Sequence, residues 1–262
     1  MIKEFFEKKF ANPYVKGLDI DSVSAVDIHS RIIRENSLLN QYYRFIYQHF
    51  KKTEDSLSGL AYPSVEIGSG GGFLKDYIPD VITSDVVVSR GIDRKEDVSC
   101  LSFADNSLKA VYAIDVLHHV KDLEASLNEI QRVLVKGGRF VCNEPSSTLF
   151  GYFMNKHFHK EYTNKHIKEW KIQGQARLSD ANMALPYVVF KRDADLFHER
   201  FRHLKISSIF YHDFLRYTLS GGLSYKPFVP KMFYGAVSGI EFLARPLMPI
   251  LGQMMIVTIE KA

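Results

Sequence analysis

The stretch that most constrains the fold is VEIGSGGGF, Val65 to Phe73, in which four glycines and a serine follow a short apolar run. Glycine lets the backbone turn tightly and approach a ligand where a Cβ would collide. Glu66 stands two positions before the first glycine. A strand before this loop and a helix after it would form the turn on which many α/β proteins bind nucleotides, so the stretch predicts an α/β fold with a ligand at the loop.

The sequence around the loop alternates between short apolar runs and helical stretches. SVEIG, VITSDVVV, LKAVYAID and GRFVCNEP are typical of strands, while GFLKDYI and LEASLNEIQRVLV are typical of helices, the second ending at the glycines of KGG. Further on we expect a helix in KRDADLFHERF, a strand in LKISSIFYHDF, a strand-like run in LPYVVF and a final edge strand in GQMMIVTIEK. Strands alternating with helices predict a parallel sheet.

The spacing of the glycines separates three candidate ligands. A phosphate-binding P-loop requires G-x-x-x-x-G-K-[ST], and this loop continues GGFLKDY without the Lys-Ser/Thr pair. A dinucleotide fingerprint requires G-x-G-x-x-G, and Phe73 stands where its third glycine would be. Glu66 would also repel a pyrophosphate. A carboxylate at that position suits a ligand with an amino or cationic group.

With these residues the sequence resembles the class I S-adenosylmethionine-dependent methyltransferases. Their first motif, [DE]-x-G-x-G-x-G, corresponds to Glu66, Gly68, Gly70 and Gly72, and the likeness continues in order through about half of the chain. The resemblance implies a Rossmann-like α/β fold, with a mostly parallel seven-stranded sheet flanked by helices. It also implies S-adenosyl-L-methionine as cofactor and S-adenosyl-L-homocysteine as product. The loop, including Ser69, would lie along the aminocarboxypropyl group, and Glu66 would act on its amino group.

Later positions extend the resemblance to the rest of the cofactor. It implies that Asp85 accepts hydrogen bonds from the ribose hydroxyls, that Asp97 contacts the adenine amino group and that Val98 lies beside the ring. Ile114 and Asp115, at the end of the fourth strand, would lie against the methionine and sulfonium region.

The sequence departs from the family pattern in three places. Lys136 replaces a usual proline, and Lys109 replaces a usual aspartate at the start of the fourth strand. Only about a dozen residues separate Asp85 from Asp97, so we expect the second crossover helix to be absent or reduced to a turn. The adenine side would then be open or covered by another element.

Candidate catalytic residues follow the fourth and fifth strands. Methyl transfer from a sulfonium is an in-line displacement, in which alignment supplies much of the acceleration and a base is needed only for a protonated acceptor. His118, His119 and Glu144 stand where such a base would be. A packing or orienting role for each remains the alternative.

The sequence gives little indication of a metal ion. His157, His159, His166 and Glu161 offer ligand types but no helical H-E-x-x-H pattern, so we expect no metal and interpret this stretch as part of a lid. Cys100 and Cys142, both in apolar strand-like segments, predict neither a disulfide nor a zinc site.

The predicted organisation is a helical cap at residues 1–58 and a cofactor-binding domain at residues 59–262. Apolar residues recur three and four apart from Val26 to Phe50, which indicates amphipathic helix, packed on the core or contacting substrate. The domain would carry a lid at about residues 146–190 and an apolar insert at about residues 215–251. Charged residues and prolines interrupt the insert, so it could lie against a membrane but not cross it. The charged N-terminus lacks a secretory signal, which favours a cytoplasmic protein.

The sequence favours a methyltransferase acting on a small molecule. The apolar insert and an aromatic content of 13% favour an acceptor with a hydrophobic part, such as a lipid-linked, isoprenoid or polyketide-like molecule, and a sugar or sugar nucleotide is next. SDANMALPYVVF and LSGG resemble a bacterial subgroup of the family, which names no acceptor. A non-catalytic cofactor-binding partner is the alternative. An RNA methyltransferase is a further one, disfavoured by the scattered charge and by IDVLHH in place of [DNS]-P-P-[YFW].

Overall fold

A seven-stranded sheet forms the centre of the computed structural model, which describes residues 9–19, 22–159, 161–172 and 180–262. The strand order is β3-β2-β1-β4-β5-β7-β6, and only β7 runs antiparallel to its neighbours. This arrangement confirms the predicted fold class. The strands are β1 (Ser64–Ile67), β2 (Ile82–Asp85), β3 (Arg94–Lys95), β4 (Leu108–Ile114), β5 (Leu134–Pro145), β6 (Leu204–His212) and β7 (Met254–Lys261).

Helices cover both faces of this sheet. The described α-helices are α1 (Val23–Glu35), α2 (Ser37–Ser56), α3 (Leu123–Val133), α4 (Leu149–Phe158), α5 (Leu185–Tyr187), α6 (Ala194–Arg200), α7 (Arg216–Ser220), α8 (Tyr234–Leu243) and α9 (Met248–Leu251). None of them is long and apolar enough to span a bilayer.

The two N-terminal helices share a hydrophobic core with one face of the sheet. Buried side chains of α2, such as Ile46 and Phe50, pack with Tyr112 of β4 and Val141 of β5. The opposite face buries the apolar side of α3, which carries Leu123, Leu127, Ile130 and Val133 as its periodicity predicts. The boundary of the cap at residue 58 stays a prediction, since its helices complete the core of the sheet.

Several local predictions are wrong. GFLKDYI forms only the short 3-10 turn Leu74–Asp76, because Pro79 follows at once and disfavours helical backbone before it. The LPYVVF segment is not strand-like: it forms α5 and continues as a π-helical turn, Val188–Arg192. Cys100 is exposed at a tight turn, whereas Cys142 lies in β5.

The glycines of KGG and the last strand are also placed differently from the prediction. Helix α3 ends at Val133, and β5 begins at Leu134, so KGG lies inside the strand, where Gly137 has φ +76°. Strand β7 is not an edge strand, because it lies between β5 and β6. Its side chains are therefore buried on both faces, while β6 forms the edge with an alternately exposed pattern.

The predicted loss of the second crossover helix is confirmed for residues 86–93, which the structure describes as turns and extended backbone. Strand β3 is only Arg94–Lys95, which pairs with Ser84 and Asp85 of β2. The sheet is therefore short on the side where the family places adenine.

Tyr47 joins the N-terminal helices to the glycine loop, and its removal should destabilise the fold. The backbone N–H of Phe73 donates to the Tyr47 hydroxyl at 3.0 Å, and both residues are buried. Tyr47→Phe leaves this N–H unpaired, so we expect the free energy of unfolding to fall by about 1–3 kcal/mol in urea denaturation. Tyr62→Phe, at a site 45% exposed, is the control and should change little. Equal stability of the two variants would contradict this role.

Candidate active site

A cavity of about 670 Å³ lies between the glycine loop, the carboxyl ends of β1, β2 and β4, and helix α1. This volume is within the range of about 300–1,000 Å³ for small-molecule sites. The structure brings all the predicted cofactor residues to the wall of this cavity: Glu66, Gly68, Ser69, Gly70, Gly72, Asp85, Asp97, Val98, Ile114 and Asp115. Their binding role stays a prediction from the resemblance.

The glycine loop has a backbone that other residues would strain. Gly70 has φ +47°, and a Cβ there would meet nothing closer than 3.8 Å, so the loop leaves open space at this point. A Cβ on Gly71 would lie 2.5 Å from the backbone nitrogen of Ser30, so this glycine lets α1 pack directly on the loop.

Asp85 ties the loop to the second strand. Its two carboxylate oxygens accept from the backbone N–H of Gly70 and of Val87, each at 3.0 Å. Asp97 is exposed, and its Oδ1 accepts from the N–H and the hydroxyl of Ser99 at 2.9 and 2.7 Å, while Val98 is buried. Both aspartates thus face the same cavity. Asp85 is held in place by its two hydrogen bonds, whereas Asp97 is exposed.

Glu66 provides the observation that tests whether the cofactor fits. Its side chain is only 2% exposed, and its Oε2 has no hydrogen-bond partner in the described part of the chain. Burial raises the pKa of this carboxyl to about 8. A buried carboxyl oxygen without a partner is costly, and an amino group entering the cavity would supply that partner. The residue therefore fits the amino end of S-adenosylmethionine.

Asp115 has an unusual backbone beside this cavity. Its φ of +55° is rare for a residue with a side chain, and such strain is often found at functional sites. Burial raises the pKa of its carboxyl to about 7, and Oδ1 has no hydrogen-bond partner among the residues described. Asp115 therefore presents a second carboxyl to the cavity. A positively charged ligand would favour the ionised form of this carboxyl.

Glu144 does not have the position of a catalytic base. It is completely buried and is not part of the cavity wall. Its Oε1 accepts from the N–H groups of Val116 and Leu117 at 2.9 and 2.7 Å, and its Oε2 lies 2.7 Å from Nδ1 of His118. The geometry therefore favours the orienting alternative for this residue.

His118 is held between two carboxylates. Its Nε2 lies 3.4 Å from Oε2 of Glu161, on the ring edge opposite Glu144. Burial alone would lower the pKa of this imidazole, but Glu144 and Glu161 outweigh burial and raise the pKa to about 10. Both ring nitrogens of His118 thus face carboxyl groups, and this geometry favours the orienting alternative for the residue.

His119 is the candidate that stays neutral. Burial, followed by the neighbouring charge on His118, lowers its pKa to about 3. The two imidazole rings lie 4.2 Å apart, and Nδ1 of His119 is buried without a hydrogen-bond partner in the described residues. His119 therefore presents an unused nitrogen lone pair beside the cavity. Whether it acts as a base stays a prediction.

The structure adds wall residues that sequence reasoning did not assign. Helix α1 contributes apolar residues such as Val26 and Ile33, and the predicted insert contributes Tyr217 and Leu223. The periodicity of α1 could have shown its apolar face, but no local signal places residues 217 and 223 beside a loop far away in sequence. In the predicted lid, His159, Glu161 and Met183 line the cavity, while residues 160 and 173–179 lie outside the described residues.

Comparisons with known proteins give matches over part of the chain. Residues 65–142 match the family model described as "Methyltransferase domain". A segment of 61 residues is 39% identical to the reducing polyketide synthase Preu2 of Preussia isomera, covering 23% of this chain. The chain spans only 3% of the length of that relative.

Two solved structures are similar to most of the chain. One is a SAM-dependent methyltransferase from Thermotoga maritima, with 17% identity, a TM-score of 0.49 and coverage of 90% of this chain and 99% of that one. The other is geranyl diphosphate C-methyltransferase from Streptomyces coelicolor A3(2), with 13% identity, a TM-score of 0.46 and coverage of 90% and 84%.

The domain match covers residues 65–142, which hold the glycine loop and strands β1 to β4 with most of β5. Over this part the chain is similar to methyltransferase domains, in agreement with the resemblance that the sequence motifs indicate. S-adenosyl-L-methionine is the cofactor that this similarity implies, and the unpaired carboxyl oxygen of Glu66 fits its amino group.

Cofactor binding should release a proton from Glu66. With a pKa of about 8, this carboxyl is mostly protonated at pH 7, and the cofactor's ammonium group would favour its ionised form. We expect calorimetry with S-adenosylhomocysteine, in buffers of different ionisation enthalpy, to show release of up to about one proton at pH 7. The release should decrease as the pH rises past 8.

Two variants identify the carboxyl that releases this proton. Glu66→Gln should remove the larger part of this release and leave the smaller part that Asp115, with a pKa of about 7, contributes. Asp115→Asn is the matched control, because it removes the other carboxyl with a raised pKa and leaves Glu66 in place. Unchanged proton release in Glu66→Gln would show that Glu66 is not the group that ionises.

Proposed function

We propose that this chain transfers the methyl group of S-adenosylmethionine to a small-molecule acceptor with a hydrophobic part. The observation that carries the proposal is that one cavity joins the cofactor motif to apolar side chains from other elements. Val26 and Ile33 come from α1, Met183 from the lid, and Leu223 from the insert. Apolar walls with a few polar groups suit a largely apolar ligand, and a sugar acceptor would leave these walls uncovered.

The residues of this chain would act mainly by holding and aligning the reactants. Bound S-adenosylmethionine supplies an electrophilic methyl group on a sulfonium. Glu66 and the glycine loop would hold the amino acid end, and Asp85 would hold the ribose. Asp115 would face the positive charge. Alignment and the exclusion of water by apolar walls can supply much of the acceleration of such a displacement.

Cofactor binding and methyl transfer test this proposal directly. We expect the unmodified protein to bind S-adenosylmethionine and S-adenosylhomocysteine by calorimetry. Asp85→Asn, which removes the charge but keeps the shape, should weaken binding at least about tenfold, or roughly 1.4 kcal/mol. Gly70→Val should also weaken binding, because it fills the open space of the loop and strains a φ of +47°. Glu124→Gln, on the exposed side of α3, is the control.

The same experiment separates the alternatives. If the unmodified protein binds neither nucleoside, the proposed function is wrong. Transfer of a labelled methyl group to an extract of cellular lipids and small metabolites should give a product that partitions into organic solvent. Cofactor binding without any transfer would instead favour the non-catalytic partner, and transfer to RNA would favour the RNA methyltransferase.

We also propose that the insert and α4 lie against a membrane with anionic lipids. Large apolar side chains are exposed on both segments, including Leu149 at 80%, Met232 at 83% and Leu243 at 77%. Helix α9, at the end of the insert, packs beside α4, so the two segments are neighbours, and we take their exposed apolar side chains together as the membrane-facing surface. Its exposed charges include Lys156, Lys231 and Arg245.

The acidic residue of the insert does not oppose this contact. Glu241 is buried, and its carboxylate accepts from the backbone N–H groups of Phe214, Leu215 and Arg216. The surface is therefore apolar and basic, which complements an anionic headgroup layer. It would bring a lipid-like acceptor close to the cavity.

Vesicle binding tests the membrane contact. We expect the protein to co-sediment with vesicles containing phosphatidylglycerol and to bind vesicles of phosphatidylcholine alone more weakly. Met232→Glu with Leu243→Glu should reduce binding at least about tenfold, because each places a charge at an apolar contact. Tyr62→Glu, another exposed aromatic site outside this surface, is the control. Equal binding by the double variant and the control would exclude this surface.

A further inference from the structure

We propose that His118, His119 and Glu161 bind one divalent first-row transition metal ion in the wall of the cavity. One ligand atom from each residue, two imidazole nitrogens and a carboxylate oxygen, lies within 4.8 Å of the others. Bonds of about 2.0–2.2 Å to one ion would need only a small contraction of this group. All three residues line the cavity. The role of such an ion in catalysis rests on the proposed function.

His118 is oriented as a metal ligand usually is. Its Nδ1 is 2.7 Å from Glu144, whose other oxygen is fixed by two backbone N–H groups, so the ring cannot turn away. A histidine ligand typically donates its second ring N–H to a carboxylate or a carbonyl. Nε2 is then the atom that would coordinate the ion, and it lies 3.4 Å from Oε2 of Glu161.

His119 is also held in place by a hydrogen bond, in this case with the backbone. A hydrogen bond with the Asp180 backbone involves one ring nitrogen, while Nδ1 is buried and has no hydrogen-bond partner among the residues that the structure describes. An unpaired buried nitrogen is costly, and coordination of an ion would use its lone pair.

Glu161 completes the donor set with a negative charge. Its Oε2 is buried and makes no hydrogen bond in the part of the chain described here, but it forms ion pairs with His118 at 3.4 Å and with His159 at 4.0 Å. Nε2 of His118 and Oε2 of Glu161 are 3.4 Å apart, so one ion could contact both atoms and would give Oε2 a direct partner.

The donor types select the class of ion. Two imidazoles with one carboxylate suit Zn²⁺, Co²⁺, Mn²⁺ or Fe²⁺, whereas Mg²⁺ and Ca²⁺ prefer oxygen ligands throughout. Three protein ligands leave at least one coordination position open. Because these residues line the cavity, that position would face an oxygen of the acceptor, such as a hydroxyl, enol or ketone oxygen.

Cobalt titration of the full chain tests the site. After treatment with EDTA, Co²⁺ should bind with one-to-one stoichiometry and give visible absorption typical of nitrogen and oxygen ligands, and Zn²⁺ should displace it. Glu161→Gln and His119→Gln should each lower the affinity at least tenfold. Glu144→Gln, which acts by positioning His118, should lower it about 10–100-fold. His157→Gln and His166→Gln are matched controls, since these histidines are exposed.

The outcomes separate this inference from the proposed function. Circular dichroism confirms folding of each variant, and His119→Gln decides the test if Glu161→Gln does not fold. No stoichiometric Co²⁺ binding by a protein that still binds S-adenosylhomocysteine would overturn the metal site and leave the function standing. Equal Co²⁺ binding by the unmodified protein, Glu161→Gln and His119→Gln would place the ion elsewhere and overturn it too. Loss confined to the cluster variants supports the site, whatever the nucleoside binding shows about function.

Discussion

The buried carboxylate of Glu144 is the interaction on which the geometry of the site depends. It stands near the end of β5 and accepts from two backbone N–H groups in the turn after β4. A charge at a position with no solvent exposure is stable only when it is fully hydrogen-bonded. The turn that satisfies it must therefore keep one conformation, which includes the left-handed backbone of Asp115 and the orientation of His118.

Glu66 and Glu144 show that a buried glutamate can either support the structure of the site or bind a ligand. Both are buried near the carboxyl ends of β1 and β5, the two parallel strands on either side of β4 in the centre of the sheet. Glu144 has partners for both oxygens, whereas Oε2 of Glu66 has none in the part of the chain described. The cost of the second arrangement is removed when a ligand supplies the missing donor. A buried carboxyl with hydrogen-bond partners for both oxygens therefore supports the site, whereas one with an unpaired oxygen belongs to its binding surface.

Much of the fold and of the cofactor side could be predicted from the sequence. The periodicity of α3 and the apolar runs of the inner strands are local signals, and the glycine loop with Glu66 and Asp85 is a motif of fixed spacing. The position of β7 could not be predicted, because an apolar strand does not indicate which neighbours it pairs with. The approach of Glu161 to His118 could not be predicted either, because it depends on the path of the chain between these two residues.

The charges around His118 explain why this part of the wall favours a cation. Burial would raise the pKa of Glu161, but the neighbouring histidines lower it to about 2, so this carboxylate is ionised. The acidic side chains of Glu144 and Glu161 flank His118 at 2.7 and 3.4 Å, so this buried region favours a positive charge. A sulfonium and a metal ion could both supply it. Only a metal ion would also use the lone pair of His119 Nδ1, since a sulfonium accepts no electron pair without reacting. The nitrogen donors, rather than the charge alone, therefore favour a metal ion at this position.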